Sequence, residues 1–452
     1  MVAGVRLDRS GDVAVVTIDM PPVNALGHRV RQALAALIDE VADDATLRAL
    51  VLRAEGAIFS AGADIREFDG SAREPRLGEV CRKIELLPIP VIAVMQGAAL
   101  GGGAELALAA HYRLAGPAAR IGLPEVRLGL IPGAGGTQRL PRLIGAEAAI
   151  LMMSRGDAVD ARAAEEIGLI DGILPDPGVA AAVGFAEGLL VRGLGPRPTL
   201  ALADLAGEPA LWLAAVAEAR RSAAASPLPG LMRLCDCVEA ALLFPAEAGL
   251  ALEEECFAEC LASAESRALR HLFLAERRLP AAFGARGPES EVRLSEAGQA
   301  VAARLETALT RAGAALVRGG ASADAIEAAV ARMGFGGEPA AARQGVQGGV
   351  ALERAILGAV MAEGGRMIDA GEVPGAAAVD VIAVAGAGWP RLSGGPMHRA
   401  TEAGLPVMLR TIEALETADP VWAAPAVLRE AVKYAGGFSA AEAGRKPDAS
   451  SI

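Results

Sequence analysis

Residues 91–140 constrain this chain more than any other stretch; they read VIAVMQGAALGGGAELALAAHYRLAGPAARIGLPEVRLGLIPGAGGTQRL. The apolar, β-branched run through Val91, Ile92 and Val94 predicts a buried strand. It breaks at Gly97, and Gly101, Gly102 and Gly103 then lead into residues 104–110, which are good helix formers. Glycines at a helix start let a ligand approach the main chain closely, and the first-turn N–H groups there have no intrahelical partner. At the positive end of a helix dipole, such groups suit an anionic oxygen. Glu105 falls in that first turn, Glu125 follows Pro124 on a loop, and Gly133, Gly135 and Gly136 come next. Taken alone, a glycine-rich turn is weak evidence, and the competing reading is a tight helix–sheet junction with a capping glutamate.

Upstream, residues 58–68 read IFSAGADIREF, a second turn of small residues followed by acids. The three pieces, in this order and spacing, resemble the crotonase family, also called the enoyl-CoA hydratase/isomerase superfamily, over residues 5–192. The resemblance implies an α/β crotonase-like fold, a spiral of ββα repeats. It implies that the main-chain N–H groups of Ala63 and Gly102 grip the thioester oxygen of an acyl-CoA. It also places Glu105 and Glu125 where the hydratases carry their two glutamates. Adding water to a 2-enoyl thioester needs donors aimed at the oxygen that gathers charge, and two carboxyls facing one water, one ionised and one neutral. Isomerases of the superfamily often keep only the glutamate matching Glu125. The presence of both therefore favours hydration of 2-trans-enoyl-CoA over Δ3,Δ2 isomerisation, with a non-catalytic acyl-CoA-binding scaffold as the third alternative.

By the same resemblance, Ser60, Ala61, Gly62, Asp64 and Ile65 border the coenzyme A site, with the adenine meeting main chain and Asp64 holding the turn. Arg66 falls where the family often has lysine and is the candidate for a coenzyme A phosphate. Gly101, Gly133 and Gly135 are expected beside the acyl pocket, with residues 69–76 along its border. No permanently bound cofactor and no metal site are expected, because coenzyme A arrives as part of the substrate.

The composition sets outer limits. With 53% hydrophobic residues in 452 there is ample material for more than one core, while 3% aromatics and abundant alanine favour close-packed helices. A net charge of −12 argues against nucleic acid or an anionic membrane surface as partner. Cys81, Cys235, Cys237, Cys256 and Cys260 lack disulfide-framework spacing and are expected to be buried free thiols. The first residues lack an apolar signal segment, and no apolar run is long enough to cross a bilayer. The last four, Ala449, Ser450, Ser451 and Ile452, are not a peroxisomal Ser-Lys-Leu ending, so a cytoplasmic location is expected.

Along the chain, residues 13–18 and 48–53 read as strands, 29–41 as an amphipathic helix with Val30, Leu34, Leu37, Ile38 and Val41 on one face, and 77–87 as a helix. Strands alternating with helices imply βαβ units and a parallel sheet. Helices follow over 146–153, 161–166 and 179–191, and LGPRP at 194–198 marks a boundary. Residues 248–274 could form one long helix, and 280–288 a linker.

Beyond that, GAALVRGG (313–320) lines up with GGRMIDAG (364–371) as an internal repeat, and residues 333–337 answer 386–390. Residues 362–404 resemble the C-terminal helical domains of 3-hydroxyacyl-CoA dehydrogenases. The whole then looks like a bifunctional β-oxidation protein without its nucleotide-binding domain. Three regions are expected: a hydratase domain over 1–195, linker helices packing on it over 196–290, and an all-α region over 291–452. The segment VIAVAGAGWPRLSGG (381–395) mimics a strand and glycine turn, but Pro390 and Ser393 spoil the dinucleotide fingerprint, so no NAD site and no dehydrogenase activity are expected. The helical region is left as a packing domain, a surface for homo-oligomers, or a dock for a separate dehydrogenase or thiolase.

Overall fold

The computed structural model describes residues 4–70, 73–202, 208–287, 291–335, 349–434 and 437–444. Of the sequence features above, residues 71–72, Pro288, Gly336, Gly337 and the last four residues lie outside the described set. The chain divides into two compact units, Met1–Ala262 and Ser263–Ile452.

The first unit opens with β1 (Val5–Ser10) and β2 (Val13–Ile18), a hairpin in which Val5 faces Ile18. Then come α1 (His28–Asp43), β3 (Ala49–Ala54), α2 (Leu77–Glu85), β4 (Val91–Met95), β5 (Ala98–Leu100) and α3 (Gly102–Leu108). After them follow β6 (Tyr112–Ala115), β7 (Arg120–Gly122), α4 (Gly136–Ile144), α5 (Ala146–Arg155), β8 (Val159–Asp160), α6 (Ala161–Glu166), β9 (Gly172–Ile173) and α7 (Val179–Val191). The main sheet has the order β1-β2-β3-β4-β6-β9, parallel from β2 onward. A smaller sheet runs β5-β7-β8. Strand β4 is central and buried on both faces: Val91, Ile92, Val94 and Met95 are all at most 1% exposed. Each such side chain contributes about 1.5–3 kcal/mol, which is why this run reads as continuous rather than alternating.

Helices α8 (Pro209–Ala224), α9 (Pro229–Leu243) and α10 (Ala246–Ala262) complete the unit. Trp212, Leu234, Val238, Cys256 and Cys260 from these helices join the same core as α1 and α3. All five cysteines are free and buried.

The second unit begins with α11 (Ala264–Glu276). The sequence reads as one helix over 248–274, but Ser263 interrupts it: its Oγ accepts from the Ser266 amide at 3.1 Å and starts a new helix. The segment read as linker helices, 196–290, is accordingly shared. Residues 209–262 belong to the first unit and α11 to the second.

Among the described residues the secondary structure of this unit is helical apart from a short hairpin, β10 (Gly284–Arg286) with β11 (Val292–Leu294), which falls partly where a plain linker is expected. Its helices are α12 (Glu296–Arg318), α13 (Ala323–Arg332), α14 (Gly349–Asp369), α15 (Ala376–Gly386), α16 (Pro396–Glu402), α17 (Leu405–Leu415), α18 (Ala426–Ala431) and α19 (Gly437–Gly444). The two aligned octapeptides are the closing turns of α12 and α14, and these helices pack on each other. Residues 381–386, the stretch that mimics a strand, are helix in α15. There Asp380, wholly buried, accepts from the Met397 and His398 amides and pairs with His271 at 2.8 Å. The His398 ring stacks on His271. No helix among the described residues is long and apolar enough to cross a membrane.

Candidate active site

Two backbone turns meet at the N-terminus of α3. The first is residues 58–64. Ser60, fully buried, donates its Oγ to the Asn24 carbonyl at 2.8 Å and accepts from the Gly62 amide at 3.0 Å. The Ser60 amide goes to Ala98, and the Ala61 amide to Val23. Asp64 caps the short turn Ile65–Glu67 through the Arg66 amide. These bonds lock the turn against β5, where Leu100 donates back to the Ser60 carbonyl at 2.9 Å.

The second turn is Gly101, at φ 53° and ψ −126°, a conformation open only to glycine. It delivers Gly102 next to Ala63: a β-carbon on Gly102 would lie 3.2 Å from the Ala63 nitrogen. Ala61 and Gly62 spend their N–H groups inside the fold. The N–H groups of Ala63 and Gly102 have no protein acceptor among the described residues.

The two glutamates come from the segments next to these amides: Glu105 from the first turn of α3 and Glu125 from a turn that reaches Gly101. Glu105, 3% exposed in the first turn of α3, accepts from the Ala134 and Gly136 amides at 2.7 and 2.9 Å. Glu125 opens the short 3-10 turn Glu125–Leu128 after β7. Its Oε1 lies 2.9 Å from where a β-carbon on Gly101 would stand, and its Oε2 is buried with no hydrogen-bond partner. Burial pushes both carboxyls above the usual range. For Glu105 the two amides oppose that shift; for Glu125 the Glu105 charge adds to it.

Other expected residues take less direct positions. Gly133 lies under the Phe257 ring and Gly135 against the Arg139 side chain, so each is glycine for lack of room. The Gly135 amide is already committed, to Glu253 at 2.5 Å. Arg66, expected at a phosphate, forks onto Asp64 with two contacts of 2.8 Å, and holds that carboxyl below its ordinary value. Its guanidinium remains exposed.

Sequence reasoning missed three contributors. Glu253 on α10 is 1% exposed and reaches the turn at 135–137. Phe257, one turn further, packs edge-on to Phe68 with centroids 5.9 Å apart. Beneath them a buried ion pair joins Arg139 to Glu85 at 2.8 Å, and Arg139 also holds the Ala134 carbonyl at 2.9 Å. A signal for Glu253 existed: Gly249, Cys256 and Cys260 share its helical stripe, a small-residue face that must lie inward.

Residues 8–190 match the family model described as enoyl-CoA hydratase/isomerase. A peroxisomal bifunctional enzyme of Danio rerio is 39% identical over 269 residues, 59% of this chain and 37% of that protein. The Homo sapiens enzyme of the same name is 37% identical over 279 residues, again 37% of its length. A probable enoyl-CoA hydratase of Bacillus subtilis (strain 168) is 44% identical over 165 residues, 35% of this chain and 64% of that one. The chain thus spans little more than a third of the bifunctional relatives it matches. Over residues 8–190, the stretch that folds as the α/β part of the first unit, the chain carries a domain of the enoyl-CoA hydratase/isomerase, or crotonase, family.

Proposed function

We propose that this protein adds water across the double bond of a 2-trans-enoyl-CoA to give a 3-hydroxyacyl-CoA. The observation that carries the reading is the unengaged pair of amides at Ala63 and Gly102, with the buried Glu105 on the same helix turn and the half-buried Glu125, its Oε2 enclosed and unpartnered, against Gly101. The thioester oxygen sits between the two amides, where charge gathers as water attacks C3; such donors are worth about 2.7–4 kcal/mol each. Glu105, held by two amide donors that favour its charged form, takes a proton from the water. Glu125, with no donor on Oε2 and its proton retained by burial and by the Glu105 charge, delivers that proton to C2. Oxygen and one hydrogen of water end on C3, one hydrogen ends on C2, and proton exchange between the two carboxyls resets the pair.

Coenzyme A would run past residues 60–65 and Gly101, with Gly133 and Gly135 on the acyl side. Arg66 can meet a phosphate only in competition with Asp64. The C-terminal unit is read as similar to dehydrogenase helical domains without hydride chemistry of its own, serving as a packing or oligomerisation surface or a dock for a separate dehydrogenase or thiolase.

Incubation with crotonyl-CoA tests this. Loss of the conjugated-thioester absorbance with formation of 3-hydroxybutyryl-CoA is expected, and added NAD should not be reduced. Silence with enoyl-CoAs of every chain length would overturn the proposal, and turnover of 3-enoyl-CoA alone would replace it with isomerisation.

A further inference from the structure

The turn at residues 134–137 is stitched between two carboxylates. Its amides alternate: Ala134 and Gly136 donate to Glu105 at 2.7 and 2.9 Å, while Gly135 and Thr137 donate to Glu253 at 2.5 and 2.8 Å. The Thr137 hydroxyl also bonds Glu253 Oε2. Glu105 arrives from α3 and Glu253 from α10, residues distant in sequence and both almost fully buried. Arg139, the cation that senses both, is already paired with Glu85. A group that only packed the helix would not need a carboxyl here; burying one is costly unless its oxygens are satisfied, as both of these are.

We propose that Glu253 is a positioning residue for the Glu105/Glu125 pair: it clamps the turn that orients Glu105 and shares in the pair's protonation. This rests on the hydratase reading of that pair. Burial and the Glu105 charge push the Glu253 carboxyl up to about 8. The other groups that sense it are Thr137, Arg139, Cys81 on α2 and, on α9, the buried Cys237, whose thiol is pushed up by its contact with Cys256 and by burial. Three acids this close titrate as one set. Removing the Glu253 carboxyl from that set therefore changes the pH at which the pair holds a single proton.

The test is the pH profile of kcat and KM for crotonyl-CoA in the wild type and Glu253→Gln. It is paired with hydrogen exchange of the peptide covering residues 130–140. Glutamine keeps the volume but turns one acceptor into a donor facing the Thr137 amide. Expected are a kcat at least tenfold lower, KM within about twofold, an alkaline limb displaced by about one pH unit, and exchange at 133–137 faster by about tenfold. Superimposable pH profiles, or unchanged exchange, would overturn the proposal. If Glu253→Gln does not fold, Thr137→Val, which removes one of the three bonds, should give the same displacement in smaller measure, and its absence overturns the proposal equally. A wild type that hydrates nothing would defeat the hydratase reading instead. The clamp would then stand or fall on the exchange measurement alone.

Discussion

Replacing Gly101 with alanine adds one methyl group and no chemistry, which makes it a sharp probe of the site. At φ 53° and ψ −126° an L-residue is strained by about 1–3 kcal/mol. The new β-carbon would also stand 2.9 Å from Glu125 Oε1, closer than van der Waals contact allows. The carboxyl is the movable partner and should give way by several tenths of an ångström. Its Oε2 has no hydrogen bond to hold it in place. The strain should lower the melting temperature of the N-terminal unit by roughly 2–12 °C, at about 2–4 °C per kcal/mol for a unit of this size. The displacement should lower kcat with crotonyl-CoA by about tenfold, a part of the roughly 100-fold that misplacing a reacting group by a full ångström costs. The assay is steady-state hydration beside a thermal melt. A variant that melts lower yet keeps kcat within twofold would refute the claim that Glu125 is held at the reacting bond by the Gly101 turn.

Arg139→Met should destabilise the first unit by about 3–5 kcal/mol, because Glu85 would be left buried and uncompensated; urea unfolding measures it, and a change below 1 kcal/mol would show the pair to be dispensable. Stability should also fall with rising pH. Glu105, Glu125 and Glu253 have folded pKa values raised above their unfolded ones, so the native state holds more protons; what burial of the neutral acids contributes is complete below about 4.5 and is lost toward about 8. Melts from pH 5 to 8 should show that slope in the wild type and a shallower one in Glu253→Gln, whereas a rising curve would contradict it.

The elements that positioned the site were legible because their signals are local. Strand β2 ends where the apolar run ends, at Ile18, and β4 declares itself by an unbroken apolar stretch. The glycines at 101–103 marked the start of α3 because no other residue fits that turn. Strand β1 was missed, since VRLDRS pairs at the edge of the sheet and exposes half its residues. The break between α10 and α11 hung on a single hydroxyl, Ser263, in a sequence of strong helix formers. Glu253 was hidden for another reason. It is the first of three consecutive glutamates, and what singles it out is the small-residue stripe of Gly249, Cys256 and Cys260 rather than the acid itself. Arg66 was placed by family position alone, and its nearest acid, Asp64, captures it through a two-residue contact.

The most direct measurement on the central claim is a double-mutant cycle on crotonyl-CoA hydration with Glu105→Gln, Glu125→Gln and the two combined. If one carboxyl takes the proton of water while the other supplies C2, neither works without its partner. Each single variant should lose about a thousandfold in kcat, and the double variant should fall no more than about tenfold further. A single variant that keeps a tenth of the wild-type rate, or losses that multiply in full, would mean the two glutamates do not act together on one water.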